Sequence, residues 1–199
     1  MLKKFKEWLT NELIDGSFTT RDHSRLADRV KLNREQIELT DGSILRASLA
    51  LKEAVQPMLL IQAKCYNGEI PWNASALHYE VEKNPNAVYI IVKEDWLPVG
   101  FIGAWLIEGE AHITNVAIIP DYQRLGIATW LIGEIEEISR QEKMNVLSLE
   151  VRVSNKKAQQ LYDKLGFKQG RIKKGYYSSN HEDALEMSKK IKQDVKYEE

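Results

Sequence analysis

The chain has 199 residues, 43% of them hydrophobic and 29% charged, with a net charge of −1. That length suits one domain with an ordinary core plus an extension, at roughly 150 residues per domain, and the balanced charge leaves no global field to hold nucleic acid or an anionic membrane. No apolar run approaches the roughly 20 residues of a membrane span, the basic N-terminus lacks a signal peptide's apolar stretch, and the lone Cys65 excludes an internal disulfide and points to a reducing cytoplasm.

Leu2, Phe5, Leu9 and Leu13 recur at helical spacing, so residues 1–14 read as a short amphipathic helix. Its Lys3, Lys4 and Lys6 suit a ribosome, RNA or membrane contact. Glu7, Glu12 and Asp15 follow closely, so a helix docked on its own domain reads as well. Residues 15–34 are polar and patternless. Asp41-Gly42 between residues 36–40 and 43–48 predicts a hairpin closed by a type I′ turn. Helices are expected over about 50–66, with Gly68 marking the end, and from Pro71-Trp72-Asn73 to about 83. Asn84-Pro85-Asn86 is a turn. Apolar strands follow over 87–92, 99–107 and 112–119, with Leu97-Pro98 and Gly109 near the turns. After the loop at 121–126, Ile127, Leu131, Ile135 and Ile138 mark one face of a helix reaching about Arg140, whose Glu134, Glu136 and Glu137 read as solvated. A strand at 146–153, a helix at 155–165 and strands at 167–172 and 184–190 complete the pattern. A meander followed by strand–helix–strand–helix–strand is α+β with a mixed sheet.

Three passages carry candidate chemistry. In Asn115-Val-Ala-Ile-Ile-Pro-Asp-Tyr-Gln-Arg-Leu-Gly-Ile-Ala-Thr, a glycine precedes a helix mouth, where backbone N–H groups and the helix dipole favour an anion. Arg124 could add a charge-assisted hydrogen bond. Alone this is also ordinary turn chemistry, and it is neither a Walker loop nor a dinucleotide fingerprint. In Leu147-Ser-Leu-Glu-Val-Arg-Val, alternation puts Leu147, Leu149, Val151 and Val153 on one face and Ser148, Glu150 and Arg152 on the other. A carboxylate in so apolar a strand is expensive unless paired or used, and the other reading is a Glu150–Arg152 surface ladder on an edge. In the third passage Ser154 can cap a helix, Gly166 can end it, and Ala158, Leu161, Tyr162 and Leu165 share its buried face, where Tyr162 could equally be core. Cys65 reads as a small core residue. His23, His78, His112 and His181 lack metal-ligand spacing, so no metal is expected. His112 is a possible acceptor-side group or a structural one.

Together these passages resemble the GNAT superfamily of N-acetyltransferases. Gln123-x-x-Gly126-x-Ala128 is similar to its pyrophosphate loop, with Ala128 where glycine is commoner, and Asn155-…-Tyr162-x-x-Leu-Gly-Phe is similar to its last helix. Leu149-Glu-Val-Arg-x-Ser-Asn, Gly175-Tyr-Tyr and Asp183-Ala-Leu-x-Met resemble the bacterial ribosomal-protein-alanine N-acetyltransferases (RimI type), and Pro71-Trp72 is similar to their acceptor-side loop. The resemblance spans about residues 44–190, leaving 1–43 as an N-terminal extension and 191–199 as a charged tail. It implies a GNAT fold: a mixed central sheet flanked by helices. It implies acetyl-CoA as co-substrate, with Val116, Ala117 and Ile118 offering backbone to the pantetheine arm, Arg124, Leu125, Gly126, Ile127, Ala128 and Thr129 cradling the pyrophosphate, and Asn155 hydrogen-bonding the cofactor. Glu150 would be the base and Tyr162 the acid facing the thiol. Pro71, Trp72, Tyr176 and Tyr177 would shape the acceptor channel. The expected reaction moves acetyl directly, in a ternary complex, to a protein N-terminal α-amine, that of a ribosomal protein's alanine, in the cytoplasm and with no nucleic acid or membrane as partner. The rival readings are a small-molecule amine acetyltransferase, which would want a closed acidic pocket, and a non-catalytic acyl-CoA-binding module.

Overall fold

The computed structural model describes residues 24–193 except 67, 69 and 178. The helix expected over residues 1–14 and residues 194–199 of the tail lie outside the described residues. A four-residue helix, α1 (Leu26–Arg29), leads into the hairpin β1 (Gln36–Glu38) and β2 (Ile44–Leu49). Helices α2 (Val55–Cys65) and α3 (Ala74–Glu82) follow. The meander is β3 (Ala87–Glu94), β4 (Leu97–Ile107) and β5 (Glu110–Ile118). Next come α4 (Ile127–Gln141), β6 (Val146–Arg152), α5 (Lys156–Lys164), β7 (Lys168–Tyr177) and β8 (Glu182–Lys190). Among the described residues no helix is long and apolar enough to cross a membrane.

The strands form one mixed sheet in the order β1-β2-β3-β4-β5-β6-β8-β7, with helices packed against it, as the α+β reading requires. Among the described residues, only β5 and β6 run parallel. The core sits beneath β3 and β4, whose residues 87–92 and 99–106 are buried along their length, and Ile127, Leu131, Ile135 and Ile138 of α4 all face it. Burying a side chain of that size contributes roughly 1.5–3 kcal/mol.

Three local expectations need correction. Gly42 has φ +86°, but Asp41 is not left-handed, and Gly42 N–H bonds Leu39 C=O at 3.0 Å. The hairpin therefore closes by an ordinary turn followed by a left-handed glycine, and Asp41 spends its carboxylate on Ser43 N–H at 3.0 Å. The two-residue type I′ turn is instead Glu108-Gly109 between β4 and β5, both with positive φ. Leu97-Pro98 lies beside a turn as expected, opening β4 directly after residues 95–96. Asn155, not Ser154, caps α5, accepting from Ala158 N–H at 3.1 Å. Glu134 is 4% exposed, not solvated, because its carboxylate takes the backbone N–H groups of Asn33 (2.7 Å) and Arg34 (3.1 Å).

Candidate active site

The site begins with a failure of strand pairing. β5 and β6 match over only four residue pairs, Glu110–Ile113 against Val146–Leu149. Beyond them, β5 stays with β4 and β6 with β8, so the strands part. A bulge at Thr114 marks the fork, where the register slips between Gly103 and Ala104 of β4. Tyr89 supports it from β3. Its ring lies over Gly103, where an added Cβ would come within 2.3 Å of the ring, and its hydroxyl meets Thr114 Oγ1 at 3.3 Å. Glycine is needed there for close approach.

The fork opens into a cavity of about 500 Å³. Its walls include Thr114, Asn115 and Val116 of β5, Glu150 and Arg152 of β6, and Asn155 and Tyr162 of α5, together with Pro71, Trp72, Tyr176 and Tyr177. These residues come from distant parts of the chain. Glu150 lies on a central strand, 3% exposed at its side chain, which removes the edge-ladder reading. Its Oε1 takes the Lys173 ammonium, while its Oε2 accepts from Tyr176 OH (3.1 Å) and sits 2.9 Å from His112 Nε2. Lys173 also pairs with Glu186 at 2.9 Å. Burial alone would lower the Lys173 ammonium, but the bonds to Glu150 and Glu186 outweigh it and hold the lysine above its ordinary value.

The far wall is braced from behind. Buried Gln62 of α2 bonds Trp72 twice, donating to its C=O (3.0 Å) and accepting from its N–H (2.9 Å), and Trp72 meets Trp105 edge-on. Tyr176 and Tyr177 pack edge to face at 5.2 Å, with the Arg152 guanidinium 3.9 Å above the Tyr177 ring. Arg152 is itself fixed by Glu182 at 2.7 Å. Burial raises the Tyr176 phenol, and the Glu150 carboxylate raises it further; burial also raises Tyr177, partly offset by Arg152. Tyr162 is pushed up to about 12, by burial first and then by Tyr66. It lines the cavity, and no hydrogen bond to another described residue acts on its hydroxyl, which leaves it available to a ligand.

Ala117, Ile118 and the loop Arg124–Thr129 lie outside this cavity wall. The loop opens α4. Arg124 (φ +66°) and Gly126 (φ +83°) are left-handed, and the first helical bond runs from Trp130 N–H to Gly126 C=O. The N–H groups of residues 126–129 therefore find no carbonyl within the helix, and with the helix dipole they suit an anion.

A family model for the acetyltransferase (GNAT) family matches residues 55–167, more than half of the chain. The chain belongs to the GNAT family. It is 40% identical over 117 residues to a Bacillus subtilis protein provisionally named a ribosomal protein bS18-alanine N-acetyltransferase, covering 59% of this chain and 78% of that one. It is 33% identical over 124 residues to the Haemophilus influenzae ribosomal protein bS18-alanine N-acetyltransferase, covering 60% and 82%. The crystal structure of the Escherichia coli ribosomal-protein-S18-alanine N-acetyltransferase superposes with a TM-score of 0.67 at 24% identity, covering 78% of this chain and 99% of that one, which shows the shared fold. This GNAT protein is an acetyl-transferring enzyme, and its fork, open helix mouth and free Tyr162 hydroxyl fit a thioester cofactor with a long arm and a pyrophosphate.

Sequence reasoning missed several residues of this GNAT site. Lys173, and Tyr66 and Glu80 that also line the cavity, carry no motif, and His112 stood out only by its place on a strand. Alternation along β5 does put Glu110 and His112 on one face, but their partners on β6 depend on a parallel register that no local pattern encodes. Burial pushes the Cys65 thiol up to about 11, away from the thiolate that a nucleophile needs.

Proposed function

We propose that this enzyme transfers acetyl from acetyl-CoA to the N-terminal α-amine of a protein, the alanine terminus of a ribosomal protein. One observation carries the reading: a buried carboxylate, Glu150, opens onto the cavity at the strand fork while already holding an ammonium, a phenol and an imidazole. A carboxylate paired with an ammonium is a weak base. It suits an α-amine, whose pKa of about 7.7–8.0 leaves roughly a tenth neutral at pH 7, and not a lysine near 10.4, which costs over about 4 kcal/mol to neutralise. The relatives' names point to the same acceptor.

When bound, acetyl-CoA supplies an activated acetyl thioester. Backbone of Val116, Ala117 and Ile118, freed from pairing with β6 by the fork, holds the pantetheine arm. Arg124, Leu125, Gly126, Ile127, Ala128 and Thr129 hold the pyrophosphate through the open N–H groups. Asn155 caps α5 with its carbonyl oxygen and keeps its amide N–H groups for the cofactor. Glu150, with His112 behind it, takes the proton of the acceptor amine. Tyr162, with its phenol raised, donates a hydrogen bond towards the departing sulfur rather than losing its proton outright. Pro71, Trp72, Tyr176 and Tyr177 hold an extended terminus end-on, and bringing amine and thioester together supplies much of the rate.

A peptide panel tests the acceptor: N-termini starting with Ala, Ser, Met or Glu, an internal-lysine peptide, and spermidine. Ala or Ser leads the last two by at least tenfold in kcat/KM, about 1.4 kcal/mol. A preference for lysine or spermidine refutes the N-terminal reading and favours a small-molecule or side-chain acceptor.

A further inference from the structure

The polar groups at the fork do not stop at the base. Ser148 Oγ is hydrogen-bonded to Oε1 of Glu110, and an ionised carboxylate only accepts. With Glu110 ionised, the Ser148 proton is committed to it, and the Ser148 oxygen accepts from His112 Nδ1–H, 2.8 Å away. At the other side of the same ring, His112 Nε2 lies 2.9 Å from Glu150 Oε2. Two lone pairs do not share that distance, so a second proton sits between them, on the imidazole or on the carboxylate. The resting pair thus holds one proton more than a neutral imidazole beside a free carboxylate, and Glu150 becomes a base only once that proton has gone.

Proton balance over a turnover makes the same demand. An acceptor arriving as an ammonium gives up two protons; the leaving thiolate takes one, and one must reach water. Resting on the assignment of Glu150 as base, we propose that Ser148 and Glu110 form the outlet for that proton. The Nδ1–H bond of His112 breaks as Ser148 Oγ gains the proton and releases its own to Glu110, whose side chain is 48% exposed and passes it to solvent. His112 is left neutral with its N–H on Nε2, donating to an ionised Glu150. Sheet register builds the path: His112 is paired with Ser148 across β5 and β6, and Glu110 and Glu150 lie two residues to either side on the same face. The charged and titratable groups around His112 are Glu110 on its own strand, Glu150 on β6, Lys173 and Tyr176 of β7 behind Glu150, and Glu80 of α3, held at 2.5 Å by Trp105, the partner of His112 on β4.

The experiment follows kcat against pH in the full chain, with acetyl-CoA and an Ala-starting peptide, for the wild type and for Ser148→Ala, Ser148→Thr, Glu110→Gln and Glu150→Gln. Ser148→Ala lowers the kcat plateau about tenfold with the KM for acetyl-CoA unchanged. Ser148→Thr, which keeps the hydroxyl, recovers most of it, and a high concentration of a small buffer such as imidazole partly restores Ser148→Ala. Glu110→Gln falls in the same direction. An unchanged plateau with only the acid limb moved makes Ser148 a static support and overturns the outlet, as does a loss that neither threonine nor buffer recovers. Glu150→Gln separates the two ideas: full activity in that variant removes the base assignment itself, whereas an inactive Glu150→Gln beside an unaffected Ser148→Ala removes the outlet alone.

Discussion

Glu80 offers a direct measurement of what the site's burial costs. Its residue is 2% exposed, its Oε2 accepts from Trp105 Nε1 and from Asn84 Nδ2 (3.1 Å), and burial raises its carboxyl to about 7, against an ordinary 4.5, despite those two bonds. The sign follows from linkage. Between pH 4.5 and 7 the unfolded chain loses this proton and the folded chain keeps it, so the native state binds more protons and stability falls as pH rises. At 1.36 kcal/mol per pH unit, the gap amounts to about 3 kcal/mol above pH 7 and under about 1 kcal/mol at pH 5. Glu80→Gln has the shape of the neutral acid and keeps an oxygen for Trp105 and Asn84, so it removes the penalty. Thermal unfolding of both proteins at pH 5 and pH 8 reads the effect. At roughly 2–4 °C per kcal/mol for a chain of this size, the variant melts about 6–12 °C above the wild type at pH 8 and nearly level with it at pH 5. A variant no more stable than the wild type at pH 8, or one with the same slope against pH, refutes the reasoning.

Two further outcomes follow from the fork and the helix mouth. Acetyl-CoA at a hundredfold excess over its Kd stabilises the wild type by about 2.7 kcal/mol; Gly126→Glu, which places a carboxylate where phosphates belong, loses that melting shift, and a shift retained in the variant removes the pyrophosphate assignment. Gly103→Ala drives a methyl into the buried Tyr89 ring and costs about 1–3 kcal/mol in chemical denaturation; wild-type stability would mean that the ring can move and does not brace the bulge.

Much of the fold was legible because its signals are local. The apolar runs of β3 and β4 and the stripe Ile127, Leu131, Ile135, Ile138 identify strands and helix directly, and Gly166, at φ +88°, ends its helix as expected. Glu150 and Tyr162 were legible through motif resemblance, and both open onto the cavity. What escaped depends on long-range placement. Glu134 looks like a solvent residue on a helix wheel, but two backbone N–H groups about a hundred positions away make it a buried cap. Leu26, in a stretch with no periodicity, is 1% exposed because α1 packs against β3. The Glu110–Ser148–His112 contacts are set by a parallel register that exists only after the crossover through α4 has formed.

Among the described residues, the four pairs that join β5 to β6 are the only ladder between the sheet's two halves, β1–β5 and β6–β8–β7. A ladder that short is a mechanical seam. Across that seam the halves are held by side chains: Leu147, Leu149 and Met187 belong to the same apolar core as Val88, Phe101 and Ile135. A cofactor lying in the fork would touch both halves and close the seam from outside the backbone. Its binding would then add a tie that the backbone lacks, and slower amide exchange in β6 and β8 with acetyl-CoA present would report it.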